Sequence, residues 1–412
     1  MPKPFSIASG NFHPRINFVI LSALLFAYPL SIRLSSFFTI ALILHWIVWL
    51  RFKIGDKFME NRGSILPPMI LFGLYVISLA YSSNLSYGLF SVEKRLSFLV
   101  FPLVLGTIPV SIPGKKLFWV SFCSAILAIL LTLILAFQRF PELGERAFYW
   151  GDLTDTIGFH PSYFTLFISF IIFWSFHLYH DQWSEFAKWK KTGIVVVLLF
   201  LVCYLILLAS KIQLFLFFII SLIHVIVIWK RLSLWIKIGL PLTFIVLGIV
   251  GYTTILKDRI SHISTLTYRL DDPVEKFNEA TIRLALVECS AEVIKNNFFF
   301  GVGVGDSYDE LDKVYRKHDY KFGYLDQQDP HNEYLSTMIC VGVLGIVTLL
   351  FMWIRPFYLA MRYRNFPYAI FLSLFIIGAF FESLLSQQKG VVLFGIFNSI
   401  FGVANMLNRR GS

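Results

Sequence analysis

Long apolar runs, separated by short polar and basic segments, make up most of the chain. A membrane-spanning helix needs about 20 mostly apolar residues, and the runs are close to that length. The pattern predicts about twelve transmembrane helices, with eleven as the alternative because the fourth run is short and contains Pro102. The predicted helices lie at 16–32, 34–50, 65–82, 96–112, 117–138, 160–179, 193–210, 212–229, 233–256, 334–354, 367–385 and 390–407. The predicted fold class is therefore an all-α polytopic membrane protein.

Composition supports the same class and limits the partners. Hydrophobic residues make up 57% of the 412 positions and charged residues 15%, whereas soluble domains contain about 25% charged residues. The net charge is +11, and its Lys and Arg residues are concentrated in alternate loops. Such a bias is typical of cytoplasmic loops and of contact with anionic membrane lipids. It predicts an inner-membrane protein with both termini in the cytoplasm and does not indicate nucleic-acid binding.

One connection is much longer than the others and is predicted to lie on the outer, periplasmic side. Residues 257–333 contain a helix predicted at 277–296, a glycine-rich turn at 301–305 and a second polar helix near 306–317. Loops of this length are usually functional or disordered, and the helical spacing of apolar residues here favours order. We predict a single membrane domain, 1–412, with an embedded loop subdomain at 257–333. The turn is expected to bring its backbone close to a ligand or another helix.

The strongest candidate for chemistry is a histidine where this loop enters the next apolar run. His331 follows Asp329-Pro330, and proline disfavours helix at the residue before it, so a helix is expected to begin at or just after Pro330. Free N–H groups at a helix N-terminus disfavour imidazolium, so a neutral imidazole there is competent as a general base. The alternative is that His331 and Asn332 only cap the helix.

Several charged and polar residues are expected on the same membrane face. Cations at this interface suit an anionic head group such as a diphosphate, although each alone is equally a surface charge that reaches the lipid head groups. An ionisable residue inside an apolar run is a functional candidate by default. The cationic candidates are Arg283, Lys211 and Arg95; the others are Glu382 within its run, and His160 and Tyr163 at the start of another run.

The ordered motifs of the loop resemble the O-antigen ligase and polymerase superfamily. They are Arg283 followed by a helix, the segment Asn296-Asn297-Phe298-Phe299-Phe300-Gly301-Val302-Gly303-Val304-Gly305, and His331-Asn332-Glu333-Tyr334-Leu335 before a helix with Gly342 and Gly345. The resemblance implies a GT-C-like, inverting glycosyltransferase that needs neither a metal nor a cofactor. It makes His331 the base and Arg283 a ligand of the donor diphosphate. Lys211 replaces the family's usual arginine, and Arg95 is a further candidate for the diphosphate.

The implied reaction moves a glycan from undecaprenyl diphosphate to the lipid A–core of lipopolysaccharide. Two enzymatic alternatives use the same donor, namely an O-antigen polymerase and a protein O-oligosaccharyltransferase. A transporter of lipid-linked glycans is the alternative outside the enzymes. It predicts charges distributed through the membrane depth, whereas the candidate charges here collect at one face.

Overall fold

The computed structural model describes residues 12–50, 55–108, 114–179, 185–228, 268–274 and 277–410, and these residues form helices and turns with no β-strand. In the order of the chain the helices are α1 (Phe12–Ala27), α2 (Ile32–Leu50), α3 (Gly55–Ser78), α4 (Leu85–Arg95), α5 (Ser97–Thr107), α6 (Gly114–Leu143), α7 (Trp150–Thr154), α8 (Pro161–Tyr179), α9 (Lys188–Leu208), α10 (Lys211–Ile228), α11 (Glu279–Asn296), α12 (Ser307–Lys317), α13 (Lys321–Leu325), α14 (Glu333–Arg362), α15 (Phe366–Gly378) and α16 (Gln388–Arg410).

Six of the described helices are long and apolar enough to cross a membrane, and three shorter ones are also apolar. The six are α2, α3, α6, α8, α9 and α14. The described residues are therefore all-helical, as predicted, and their long apolar helices support a multi-pass membrane protein. Helices suit a membrane because each one satisfies its own backbone hydrogen bonds in lipid. The count of twelve stays a prediction, since the span at 233–256 lies outside the described residues.

Two predicted spans differ from the helices that form. The span predicted at 96–112 corresponds to α5, whose eleven residues extend about 16 Å, roughly half the thickness of the hydrocarbon core. The span predicted at 367–385 corresponds to α15, which ends at Gly378. Residues 379–387 then form an irregular connection to α16, which we call the 379–387 segment. Glu382 therefore lies in this connection, whereas the sequence predicted it inside a helix.

Helix α8 is the centre of the bundle, with every residue from Pro161 to Ser175 buried. It packs against α6, α9, α10, α15 and α16. Phe170 and Trp174 meet aromatic rings of α15 and α16 edge to face, with Phe170 5.0 Å from both Phe371 and Phe397. Aromatic pairs at this spacing add to the apolar contact, which makes α8 a rigid support for the residues at its N-terminus.

The loop helices α11 and α12 form a second, smaller apolar core beside the bundle. Leu286 and Val293 of α11 pack with Leu311 and Tyr315 of α12 and with Ile339 of α14. The helix expected at 277–296 begins at Glu279, because the Asn278 side chain accepts from the N–H groups of Ala280 and Thr281. This core holds the loop against the end of the bundle where α14 begins. We call that end the loop face.

The glycine-rich turn makes the backbone approach that its sequence predicts. Val302 and Gly303 donate backbone hydrogen bonds of 2.8 and 3.1 Å to the carbonyls of Ile339 and Cys340. These carbonyls are free because α14 breaks at Gly342, which has φ 64° and ψ −157°, a conformation restricted to glycine. The turn thus supplies the hydrogen bonds that the broken helix cannot make for itself.

Candidate functional site

His331 stands just before α14, and the neighbouring Asn332 caps the helix. The Asn332 Oδ1 atom accepts a 3.1 Å hydrogen bond from the N–H of Leu335, and α14 begins at Glu333. His331 itself has φ 45°, and its N–H donates to Oδ1 of Asp329 at 2.9 Å. The left-handed turn removes the imidazole from the capping position. The capping alternative therefore applies to Asn332 and not to the side chain of His331.

The imidazole of His331 contacts polar groups through both ring nitrogens. Its Nδ1 lies 3.4 Å from Oε2 of Glu382 and 3.4 Å from Oδ1 of Asp329. Its Nε2 lies 2.9 Å from the side-chain oxygen of Gln328. About a third of the side chain, 35%, is exposed. The ring is therefore held in place and still reachable by a substrate.

Arg283 and His331 meet the same carboxylate. The guanidinium of Arg283 donates to the carbonyl of Phe381, and its Nη2 lies 3.9 Å from Oε1 of Glu382. The other oxygen of Glu382 faces His331. A single carboxylate therefore links the two residues to which the resemblance assigns the chemistry.

The start of α14 fixes the 379–387 segment, which carries this carboxylate. The N–H of Glu333 donates to the carbonyl of Ala379 at 2.8 Å, and the Asn332 amide donates to that of Phe380 at 3.0 Å. The carboxylate of Glu333, only 1% exposed, accepts the N–H of Leu385 at 2.7 Å. With these backbone groups occupied, the segment follows α14 and does not continue α15.

Two cavities open on the loop face, and His331 lines both of them. The first, of about 290 Å³, is also lined by Lys94, Arg95, Gln328 and Ser386. The second, of about 520 Å³, is also lined by Lys94, together with His160, Tyr163, Glu382 and Lys389. A group bound in either cavity would therefore be next to the imidazole.

Arg95 is the most deeply buried of the predicted cations, with 4% of it exposed. Its guanidinium donates to the Ser91 carbonyl at 2.9 Å and to the Ser386 hydroxyl at 3.1 Å, and it stacks 4.4 Å above the Tyr75 ring. Its Nε atom is buried without a hydrogen-bond partner. A buried charge with unused donor capacity on a cavity wall favours an anionic ligand.

His160 and Tyr163 lie on the second cavity and also have local structural contacts. Nδ1 of His160 accepts the N–H of Ser162 at 3.3 Å, so this histidine caps α8, which starts with Pro161. The Tyr163 hydroxyl donates to the carbonyl of Ser383 at 3.4 Å. Tyr163 thus helps to join α8 to the 379–387 segment, whereas the hydrogen bond of His160 is local to α8.

Lys211 is the first residue of α10 and is exposed. It lines neither of the two cavities. Its neighbour Ser210 donates a 3.2 Å hydrogen bond to the hydroxyl of Ser162, which places the start of α10 beside the start of α8. The structure therefore brings His331, Arg283, Glu382, Arg95, His160 and Tyr163 together, with Lys211 at their border.

The electrostatics at His331 are opposite to those expected from its sequence position. The hydrogen bond to Glu382 raises the pKa of the His331 imidazole, while burial and Arg283 act in the other direction and Asp329 adds to the increase. The expectation that a helix N-terminus lowers this pKa is wrong, because the ring lies beside two carboxylates and away from the helix axis. Burial lowers the pKa of His160.

No group of three or more His, Cys, Asp or Glu side chains in the described part of the chain is arranged to hold a metal ion. Catalysis without a metal stays a prediction.

Glu333 and Gln328 contact the site and were not among the candidates from sequence. Glu333 lies at the start of an apolar run, and an acidic residue there is equally typical of an ordinary first helical turn. Gln328 has no local signal, since a glutamine in a polar loop is common. Both are recognisable only by their contacts with Leu385 and His331.

Part of the chain matches a known protein family. A family described as O-antigen ligase matches residues 194–350. A search of curated proteins finds no match. The matched region contains Lys211, Arg283, His331 and Asn332, whereas Arg95, His160, Tyr163 and Glu382 lie outside it and are joined to it by the fold. Over residues 194–350 the chain is therefore similar to the O-antigen ligase family, which supports the resemblance seen in the loop motifs.

Proposed function

We propose that the protein is a membrane glycosyltransferase that moves an O-antigen glycan from undecaprenyl diphosphate to the lipid A–core of lipopolysaccharide. The observation that carries the proposal is the position of His331, whose partly exposed imidazole lies between two cavities. Transfer between two lipid-bound substrates needs a site for each, with a base between them. The loop face would then be the periplasmic face of the inner membrane, with both termini in the cytoplasm.

In the proposed reaction, His331 removes the proton from a sugar hydroxyl of the acceptor. The oxygen attacks the anomeric carbon as the bond from that carbon to the diphosphate oxygen breaks, which inverts the configuration. A positioned base typically contributes a factor of about 10²–10⁴ to such a step. The proton stays on the imidazole until the product leaves.

The diphosphate takes the electron pair of the broken bond and needs positive charge near it. Arg283, Arg95 and Lys211 are proposed to supply that charge, and Lys94 lines both cavities with His331. Charge-assisted hydrogen bonds of this kind contribute about 1.5–3 kcal/mol each. No metal or cofactor has a role in this scheme. Asn332 supports it by holding the N-terminus of α14 behind His331.

The two enzymatic alternatives differ from this proposal only in the acceptor. A second lipid-linked glycan as acceptor makes the protein an O-antigen polymerase, and a protein acceptor makes it an O-oligosaccharyltransferase. A lipid-linked glycan transporter would use the same cations without a base. It would need charges distributed through the membrane depth, whereas the charged residues gathered around His331 lie at one end of the bundle.

The test is transfer in vitro by the purified, reconstituted protein from undecaprenyl-diphosphate-linked glycan. Lipid A–core, a second lipid-linked glycan and an acceptor peptide are offered in separate reactions, and the products are identified by mass. We expect product with lipid A–core. Product with only one of the other two acceptors would assign the corresponding alternative, and no product with any acceptor would contradict glycosyl transfer.

A further inference from the structure

The carboxylate of Glu382 is placed between the two groups that the proposed reaction needs. One oxygen lies 3.4 Å from Nδ1 of His331 and the other 3.9 Å from Nη2 of Arg283. Only 21% of this side chain is exposed. A partly buried carboxylate in contact with an imidazole and a guanidinium affects the charge and orientation of both.

The position of Glu382 relative to His331 is held by the backbone. His331 is followed at once by Asn332 and Glu333, and these two residues bind the carbonyls of Phe380 and Ala379. The segment that carries Glu382 is therefore attached to the two residues that follow His331. A small movement of α14 would carry the imidazole and the carboxylate together.

This geometry determines what each ring nitrogen can do. An imidazole that donates its Nδ1–H to a carboxylate keeps Nε2 as the acceptor. The Nε2 atom faces the Gln328 amide at 2.9 Å, and a half-turn of that amide points its NH₂ group at the ring. An acceptor hydroxyl is also a donor, so it would take the place of the amide on the same nitrogen.

On these grounds we propose that Glu382 is the positioning residue of His331, keeping the proton on Nδ1 and directing Nε2 to the place that the acceptor hydroxyl takes from Gln328. The inference rests on the proposed function for its chemistry. Asp329 is a poorer partner for the ring, since 43% of its side chain is exposed and its Oδ1 already accepts the N–H of His331. The raised pKa of His331 agrees with an imidazolium that the carboxylate stabilises once the proton is taken.

Several charged groups act on His331, and the test must separate them. Glu382 comes from the 379–387 segment, Asp329 from the loop, Arg283 from α11 and His160 from the start of α8. Lys94 lines both cavities with it. Glu382→Gln removes one negative charge and keeps a side chain of the same size. Glu333→Gln is the matched control, because the carboxylate of Glu333 holds Leu385 in the same segment.

The first measurement does not depend on activity. ¹⁵N NMR of histidine-labelled protein reports the protonated nitrogen and the titration of each ring, and comparison with His331→Asn identifies His331 among the nine histidines. We expect the Nδ1–H form in the native protein and a titration midpoint at lower pH in Glu382→Gln, with little change in Glu333→Gln. A midpoint unchanged in Glu382→Gln, or a neutral ring protonated on Nε2, would overturn the inference.

The second measurement is the pH profile of transfer. The turnover number of Glu382→Gln should fall on the order of tenfold or more, with its acidic limb moved to lower pH and donor affinity retained. A loss of folded protein without movement of the limb would mean that Glu382 is only structural and would overturn the inference. Failure of the native protein to transfer glycan would contradict the proposed function, while the NMR result would still decide the relation between Glu382 and His331.

Discussion

Gly301 and Gly342 bring the loop and a broken membrane helix into backbone contact. A Cβ atom on Gly301 would lie 2.4 Å from the carbonyl oxygen of Ile339, and one on Gly342 would lie 2.3 Å from that of Phe299. Both glycines have positive φ, 69° and 64°. The approach ties the loop to α14 only ten residues or so beyond His331, so it determines where the candidate site stands.

Gly342→Ala should therefore destabilise the protein by at least about 1–3 kcal/mol, the usual cost of a residue held in such a conformation. Thermal unfolding in detergent measures the effect. Gly73→Ala is the control, because nothing lies within 4 Å of its added Cβ and alanine favours a helix interior. Equal melting temperatures for Gly342→Ala and the native protein would contradict this account of the break.

His331→Ala should lower transfer by about 10²-fold or more if the imidazole is the base, and His331→Asn should do the same. Neither should cost the helix its cap, which Asn332 supplies. Asn332→Ala is the contrasting variant, expected to lose about 1 kcal/mol of stability and to lower transfer per folded molecule much less than His331→Ala does. Normal transfer by His331→Asn would require another base.

Arg283→Ala should weaken binding of the lipid-linked donor. Loss of one charged contact of about 1.5–3 kcal/mol corresponds to roughly ten- to a hundredfold in affinity. Titration of the donor into protein that is monodisperse by size-exclusion chromatography measures it. Arg269→Ala is the control, because Arg269 pairs with Asp271 on the exposed surface of the loop. Native affinity in Arg283→Ala would rule out a diphosphate contact.

Transfer should persist in EDTA, because no group of three or more His, Cys, Asp or Glu side chains in the described residues is arranged to hold a metal ion. The rate is compared before and after dialysis against the chelator, with a metal-dependent glycosyltransferase as the control. Full loss of transfer that a divalent cation restores would overturn the metal-independent scheme.

The loop face should be accessible from the periplasm. In a background without the four native cysteines, Asp326→Cys, an exposed position near the end of the loop, should react with a membrane-impermeant maleimide in intact spheroplasts. Asp56→Cys, at the exposed start of α3, is the matched position expected to react only after lysis. The reverse result would invert the topology and place the site on the cytoplasmic side.

The sequence by itself determined the features that depend on neighbouring residues. Apolar runs predict helices because the backbone must be satisfied within each segment in lipid, and most of the predicted spans correspond to described helices. The glycine-rich turn and the helix at 277–296 follow from local conformational preferences as well. His331 and Arg283 were predicted as candidates from their place in the loop and from the resemblance.

Only the tertiary structure decided how the site is assembled. Glu382 is 51 residues from His331 in sequence, and the two meet because the backbone of the 379–387 segment bonds to the start of α14. The same bonds end α15 early, so the helical pattern of its sequence misplaced Glu382. The pKa of His331 is raised by its hydrogen bond to Glu382, whereas its position before a helix predicted a lowered pKa. Periodicity records which face of a helix is apolar, but charge interactions depend on distances that packing alone sets.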